Sequence, residues 1–253
     1  MEKALKLLPL GTSDFENLRH RDQIYVDKTD MICELASVPG KFFFARPRRF
    51  GKSLLLSTFE SLFRDGLKNF QGLKIEQLWT DKSTYKVIKL DFSRVKPEGT
   101  FEDFCQYFDN YLEAQFSLIG FKKEDNGLFL SNQIEIFLAG LSSSSLVLLI
   151  DEYDAPLTAC LDNKEFFERV RNYLSRFYGI LKANDRVLRF LFITGIKKFN
   201  KTSIFSELNN LSDVSLSPRF GTLLGYTHEE VETYFDGYLT QSASVLSVSR
   251  DEL

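Results

Sequence analysis

The chain is poor in the residues that build metal centres and disulfide frameworks: of 253 residues, three are cysteine and two are histidine. Cys33, Cys105 and Cys160 are odd in number, widely spaced and without a CxxC pair, which argues against a disulfide scaffold or a zinc site and for a reducing compartment. His20 and His228 stand far apart, and neither is assigned a catalytic role. No apolar run reaches membrane-spanning length. The opening "MEKALKLLPLGTSDF" has neither a long apolar stretch nor a small-residue cleavage site, so a cytoplasmic location without membrane contact is expected. With no secretory signal before it, the final "RDEL" reads as an accidental chain end rather than a retention signal. An excess of positive charge is also lacking. Lys and Arg number 32 against 35 Asp and Glu, a net charge of -3, which speaks against a protein that coats nucleic acid and leaves room only for a local basic patch.

Apolar material is abundant. Hydrophobic residues make up 43% of the chain and 25 residues are Phe, enough for the core of one large α/β domain. Trp79 and most of the Phe residues read as core rather than as a stacking platform. Four short apolar runs predict buried strands: "KFFFA" (41–45), "KVIKLDF" (86–92), "LVLLID" (146–151) and "RFLFITG" (189–195). Their hydrophobicity is nearly continuous, as in parallel strands covered on both faces. A fifth strand is expected near "DVSLS" (213–217). Between the strands, Phe101, Phe104, Phe108, Leu112 and Phe116 recur at helical spacing, as do Phe166, Phe167, Val170, Tyr173, Leu174 and Phe177. The alternation predicts a three-layer α/β sandwich around a mostly parallel sheet of about five strands, with its ligand site at the carboxyl ends of the strands. Thr227 followed by Glu230 has the spacing of a capping box and predicts a helix over 227–239, part of a short C-terminal helical segment.

One stretch joins a strand to a helix with phosphate-binding chemistry. In "KFFFARPRRFGKSLLL" (41–56), Gly51, Lys52 and Ser53 match the end of a GxxxxGK[ST] loop. Backbone N–H groups and a helix N-terminus suit phosphate oxygens, the lysine suits the terminal phosphates and the hydroxyl suits Mg²⁺. Where the pattern has its first glycine the chain has Arg46, followed by Pro47, so the start of the loop must take another path. Arg46, Arg48 and Arg49 either add positive charge near the phosphates or face solvent. About a hundred residues on, "LVLLIDEYD" ends an apolar strand in Asp151 and Glu152. The first is placed as a metal partner of the loop hydroxyl and the second as an acceptor for the proton of an attacking water. Thr194 ends a further strand and is a candidate to touch the terminal phosphate or that water. Lys197, Lys198 and Lys201 form a basic rim beyond it.

With "LPLGTSDFENLRHRDQIYVDKTDMI", "FFFARPRRFGKSLLLSTFESLF", "LLIDEYDAPL", "FITGIKKFNKTSIFSELNNLSD" and "GYTHEEVETYF" in order, the chain resembles the predicted AAA-like ATPase family of bacteria, over roughly residues 7–240. The resemblance implies a P-loop NTPase fold and makes "RPRRFGKS" a divergent nucleotide loop. It carries phosphate binding to Lys52 and Ser53, and metal and water chemistry to Asp151 and Glu152. Together with the loop and strand-end positions, the expected site has ATP contacts at Arg48, Arg49, Phe50, Gly51, Lys52, Ser53 and Leu54, Mg²⁺ at Ser53 and Asp151, and catalysis at Lys52, Glu152 and Thr194. The expected organisation is an N-terminal segment (1–40) packing on the nucleotide domain, an ATPase core (41–226) and the start of a C-terminal helical lid or linker (227–253). Members of the family commonly continue into a PD-(D/E)XK nuclease-like domain. This sequence stops at Leu253, so nuclease activity is not carried over.

The segment Tyr25-Val26-Asp27-Lys28-Thr29 either faces the adenine or merely caps the next helix. Arg186, Arg189 and Arg219 are candidates for the arginine that hydrolysis calls for, often supplied by a neighbouring subunit. Three readings stand: a Mg²⁺-dependent ATPase serving an unknown partner process, a nucleotide-gated module with little or no hydrolysis, and the motor of a nucleic-acid-processing system. A homo-oligomer or a protein partner fits each of them.

Overall fold

The computed structural model describes residues 5–198, 208 and 210–252. Its framework is a five-stranded sheet whose pairings are all parallel. The strands are β1 (Gly40–Ala45), β2 (Lys86–Asp91), β3 (Leu146–Asp151), β4 (Leu188–Gly195) and β5 (Ser212–Asp213), in the spatial order β2-β3-β4-β1-β5. The first four fall within a residue of the expected bounds. The fifth is shorter than "DVSLS" suggested, because only Phe42 and Phe43 of β1 have partners in it.

Nine α-helices accompany the strands among the described residues. They are α1 (Phe15–His20), α2 (Thr29–Ala36), α3 (Lys52–Asp65), α4 (Phe101–Ser117), α5 (Leu130–Ala139), α6 (Ala155–Thr158), α7 (Lys164–Ala183), α8 (His228–Tyr234) and α9 (Asp236–Leu246). Two apolar layers explain why continuous strands are stable. Ile88, Leu90, Leu148, Ile150, Leu191 and Ile193 face one way, onto Phe104, Phe108, Leu112 and Phe116 of α4 and Val170, Leu174 and Phe177 of α7. Val87, Val147, Leu149, Phe190 and Phe192 face the other way, onto Leu55, Phe59, Leu62 and Phe63 of α3. Phe59 lies with its ring centroid 5.0 Å from Phe190 and 4.9 Å from Phe192. Each such buried ring contributes on the order of 2–3 kcal/mol.

Caps fix the helix starts. Thr100 and Asp103 form a capping box on α4, the Asn163 side chain accepts from Phe166 N on α7, and Thr227 and Glu230 form the expected box on α8. The single helix expected over 227–239 is instead two. The chain leaves helical geometry at Phe235 (φ -111°, ψ 12°) before α9 begins.

The N-terminal segment lies against this framework. Phe15 and Leu18 of α1 are fully buried, Phe15 N donates to Ser57 Oγ of α3 at 3.0 Å, and Leu7 bridges to Gln23. No described helix is long and apolar enough to cross a membrane.

Candidate functional site

Parallel strands present their carboxyl ends along one edge, and register decides which side chains meet there. Phe44 pairs with Thr194, Ala45 with Gly195, and Asp91 with Asp151. The loop after β1 starts under constraint rather than in the freedom a glycine would give. Arg46 N donates to Gly195 O at 3.2 Å, its guanidinium donates to Ala45 O (2.9 Å) and Ser215 O, and it stacks 4.3 Å from the Phe44 ring centre. Arg46 therefore anchors the loop between β4 and the segment after β5. Its neighbours Pro47, Arg48, Arg49 and Phe50 are exposed. Positive backbone angles fall at Arg49 (φ 64°) and Gly51 (φ 91°), so an arginine holds a left-handed turn where a glycine is the easier fit. Gly51 then starts α3, whose first turn carries Lys52, Ser53 and Leu54.

Lys52 is buried, and its ammonium donates to Arg46 O at 3.0 Å and Pro47 O at 2.9 Å, closing the loop on itself. Burial lowers the pKa of that ammonium from its ordinary value, and the carboxylates of Asp151, Glu152 and Asp154 oppose the shift. Ser53 Oγ donates to Asp151 Oδ2 at 2.5 Å, and Thr194 Oγ1 donates to Asp151 Oδ1 at 2.5 Å. Thr194 is fully buried with its hydroxyl committed to Asp151. It thus orients a carboxylate that also accepts from the loop hydroxyl.

Glu152 adopts φ 48°, a sparsely populated angle for a side-chain-bearing residue, of the kind that collects at functional sites. Burial first, then the charges of Asp151 and Asp91, push its carboxyl above the usual range, while Lys52 and Arg48 oppose them. Below it, Asp154 Oδ2 accepts from Ile196 N (3.1 Å) and Lys197 N (3.2 Å), fixing the turn after β4. Gly195 is the residue that fits there, because a Cβ would lie 2.5 Å from the Tyr153 ring and 2.9 Å from Asp154 Oδ1.

Two cavities meet at this edge. The larger, about 870 Å³, is lined by Arg49 through Leu54 and by Glu152, with Tyr25, Val26 and Ile32 on one wall and Leu223, Leu224 and Tyr226 on another. The smaller, about 260 Å³, is lined by Lys89, Asp91, Arg94, Tyr111, Gln115 and Asp151. Ser13 and Ser53 line both. Tyr25, Val26 and Lys28 line the larger cavity, whereas Asp27 accepts from Thr29 N (2.9 Å), Thr29 Oγ1 (2.6 Å) and Lys74 N (2.8 Å), bracing α2.

Among the described residues no cluster of three His, Cys, Asp or Glu groups could hold a metal by itself. The hard oxygens of Ser53 and Asp151 do fit Mg²⁺, which characteristically takes one or two protein ligands and completes its shell with phosphates and water.

The structure divides the arginines singled out in the sequence. Arg186 donates to Leu141 O (3.1 Å) and Ala139 O, and Arg189 is buried and donates to Ala36 O at 2.8 Å, both at the opposite edge of the sheet. Arg219 pairs with Glu34. Lys198 pairs with Asp213 at 2.8 Å, and Lys201 lies outside the described residues. His20 and His228 are surface groups beside Glu16 and Glu232. Sequence reasoning missed Asp91, although β2 ends in an acid after an apolar run just as β3 does, and it missed the wall at Leu223–Tyr226, for which no local signal exists.

A model of the predicted AAA-ATPase family matches residues 9–205. A protein of Azotobacter chroococcum mcd 1, described as an uncharacterized protein in the vnfD 5' region, is 32% identical over 233 residues, which are 91% of this chain and 45% of that one. The chain thus spans less than half the length of this relative. No solved structure matches.

Proposed function

The chain belongs to the predicted AAA-ATPase family, a class of ATP-binding NTPase, and we propose that it hydrolyses ATP with Mg²⁺ at the carboxyl edge of β1 and β3. The observation that carries this reading is the hydrogen-bond chain Ser53–Asp151–Thr194, with Lys52 adjoining one end and Glu152 the middle. In the larger cavity, Tyr25, Val26, Leu223 and Tyr226 offer an apolar face to the base, while Gly51 and the first turn of α3 offer backbone N–H groups to the phosphates. Arg48, Arg49, Phe50 and Leu54 border that path. Lys52 exchanges its two carbonyl partners for phosphate oxygens. Ser53 and Asp151 hold Mg²⁺, which when bound supplies screening of the phosphate charge. Thr194 keeps Asp151 turned toward Ser53. Glu152 orients the attacking water and accepts its proton, a task for which a carboxyl with a raised pKa is suited.

Single-turnover conversion of labelled ATP by excess protein tests the assignment. Wild type is expected to convert ATP, Glu152→Gln to retain it with hydrolysis slowed by roughly 10²–10⁴, and Lys52→Ala to release it. Unchanged turnover in Glu152→Gln would remove Glu152 as the base.

A second reading, nucleotide gating with little hydrolysis, is favoured by the wall at Leu223–Tyr226, which leads directly into α8. On that reading ATP changes the cleavage pattern of the C-terminal helices in limited proteolysis, and identical patterns with and without ATP would count against it.

A further inference from the structure

We infer that Arg94 is the arginine this chain supplies, from within itself, to the terminal phosphate during hydrolysis. The inference rests on the hydrolase reading above. Arg94 follows β2 in a short turn, three residues beyond Asp91, which pairs in register with Asp151. It is the arginine that lines the smaller cavity, which Ser53 and Asp151 also line. Since Ser53 also lines the larger cavity, phosphates that run along the loop toward Ser53 point their outermost oxygens at the space Arg94 borders.

Its present tether is light. Arg94 Nε lies 3.3 Å from Asp91 Oδ2, and the side chain is 69% exposed. An exposed pair of this kind contributes little, so the guanidinium is readily released to a more highly charged partner. Asp91 keeps other partners when that happens, since its Oδ1 accepts from Ser93 N at 3.0 Å and from Ser93 Oγ. Of the other arginines, Arg46 is held by the loop anchor, Arg186 and Arg189 by carbonyls at the far edge and Arg219 by Glu34, while Arg48 and Arg49 belong to the loop itself and neither lines the smaller cavity.

In the reaction, water oxygen bonds to the γ-phosphorus, the bond from that phosphorus to the bridging oxygen breaks with its electron pair leaving on ADP, and the water proton passes to Glu152. Arg94 transfers no proton. It neutralises charge that develops on the phosphoryl oxygens, where its planar fork of donors suits a two-point contact.

The test compares wild type, Arg94→Ala and Arg94→Lys in ATP retention and in the single-turnover rate constant, the last measured for wild type at protein concentrations rising above the level that binds all the ATP. Arg94→Ala is expected to retain ATP while hydrolysis falls by about a hundredfold or more. Arg94→Lys is expected to recover part of the loss, and the wild-type rate constant to be independent of protein concentration. A wild-type rate in Arg94→Ala overturns the inference and leaves the ATPase standing. So does a rate constant that climbs with protein concentration, which would assign the arginine to a neighbouring copy. Release of ATP by Arg94→Ala, with Arg94→Lys folded and also unable to retain it, would make Arg94 a ground-state binding residue and overturn the inference too. Wild type that holds or ignores ATP without converting it overturns the hydrolase reading, and Arg94's role with it.

Discussion

At the residue scale, the carboxyl of Glu152 is held above its usual range by burial first, then by Asp151 and Asp91, against the pull of Lys52 and Arg48. A proton acceptor works only when deprotonated, so kcat/KM, which reports the protein before Mg²⁺ and ATP bind, is expected to fall on the acid side with a midpoint above that of an ordinary glutamate. Replacing Asp91 by Asn removes a negative charge near the acceptor, lowers its pKa and moves that midpoint part of the way down in pH. Rate–pH profiles of the two proteins decide the matter: the same midpoint in both would mean that another group titrates. Part of this chemistry was legible in the sequence. Lys52, Ser53, Asp151 and Glu152 occupy strand ends in recognisable order, and the structure brings all four to one edge. The roles of Arg46 and Thr194 were not legible, because each is set by a partner distant in sequence: Ser215 in one case, Asp151 in the other.

At the scale of elements, the C-terminal helices are tied to the N-terminal segment by polar contacts, since neither α8 nor α9 has a buried residue. Lys28 is buried and donates to Thr222 O and, at 2.8 Å, to Glu230 Oε2. Tyr234 Oη accepts from Asp27 N at 3.2 Å, and Tyr238 donates to Lys6 O at 2.8 Å. Burial raises the Glu230 pKa, but the hydrogen bonds from Lys28 and Thr227 outweigh it, and the carboxyl ends below its usual range. A depressed acid stabilises the fold at pH above its unfolded pKa, and that contribution is lost as pH falls through the folded pKa. Glu230→Ala leaves the Lys28 ammonium buried without its counter-charge. The expected loss is roughly 2–4 kcal/mol at neutral pH, shrinking in acid, together with faster proteolysis of α8 and α9. Denaturant titration at the two pH values checks it, and an equal loss at both would show that the ion pair is not the cause.

At the scale of the whole molecule, both cavities lie where segments from across the chain converge. Residues 9, 11–13, 24–26, 28, 49–55, 152 and 223–226 all border the larger one. A ligand held by so many segments binds the folded state and not the unfolded chain. At a hundred times its Kd, ATP stabilises by about 2.7 kcal/mol, which raises Tm by about 5–10 °C in a domain of this size. Lys52→Ala is expected to abolish the shift in a thermal melt, and an equal shift in that variant would place ATP elsewhere. The sequence by itself determined the α/β class, the four long strands and the loop and acid motifs, because apolar runs of strand length and phosphate-binding residues are local patterns. Tertiary structure alone decided the strand order, the smaller cavity with Asp91 and Arg94, the wall at Leu223–Tyr226 and the break at Phe235. Each of these depends on which distant segments pack together, and long-range packing leaves no periodicity in the residues that take part.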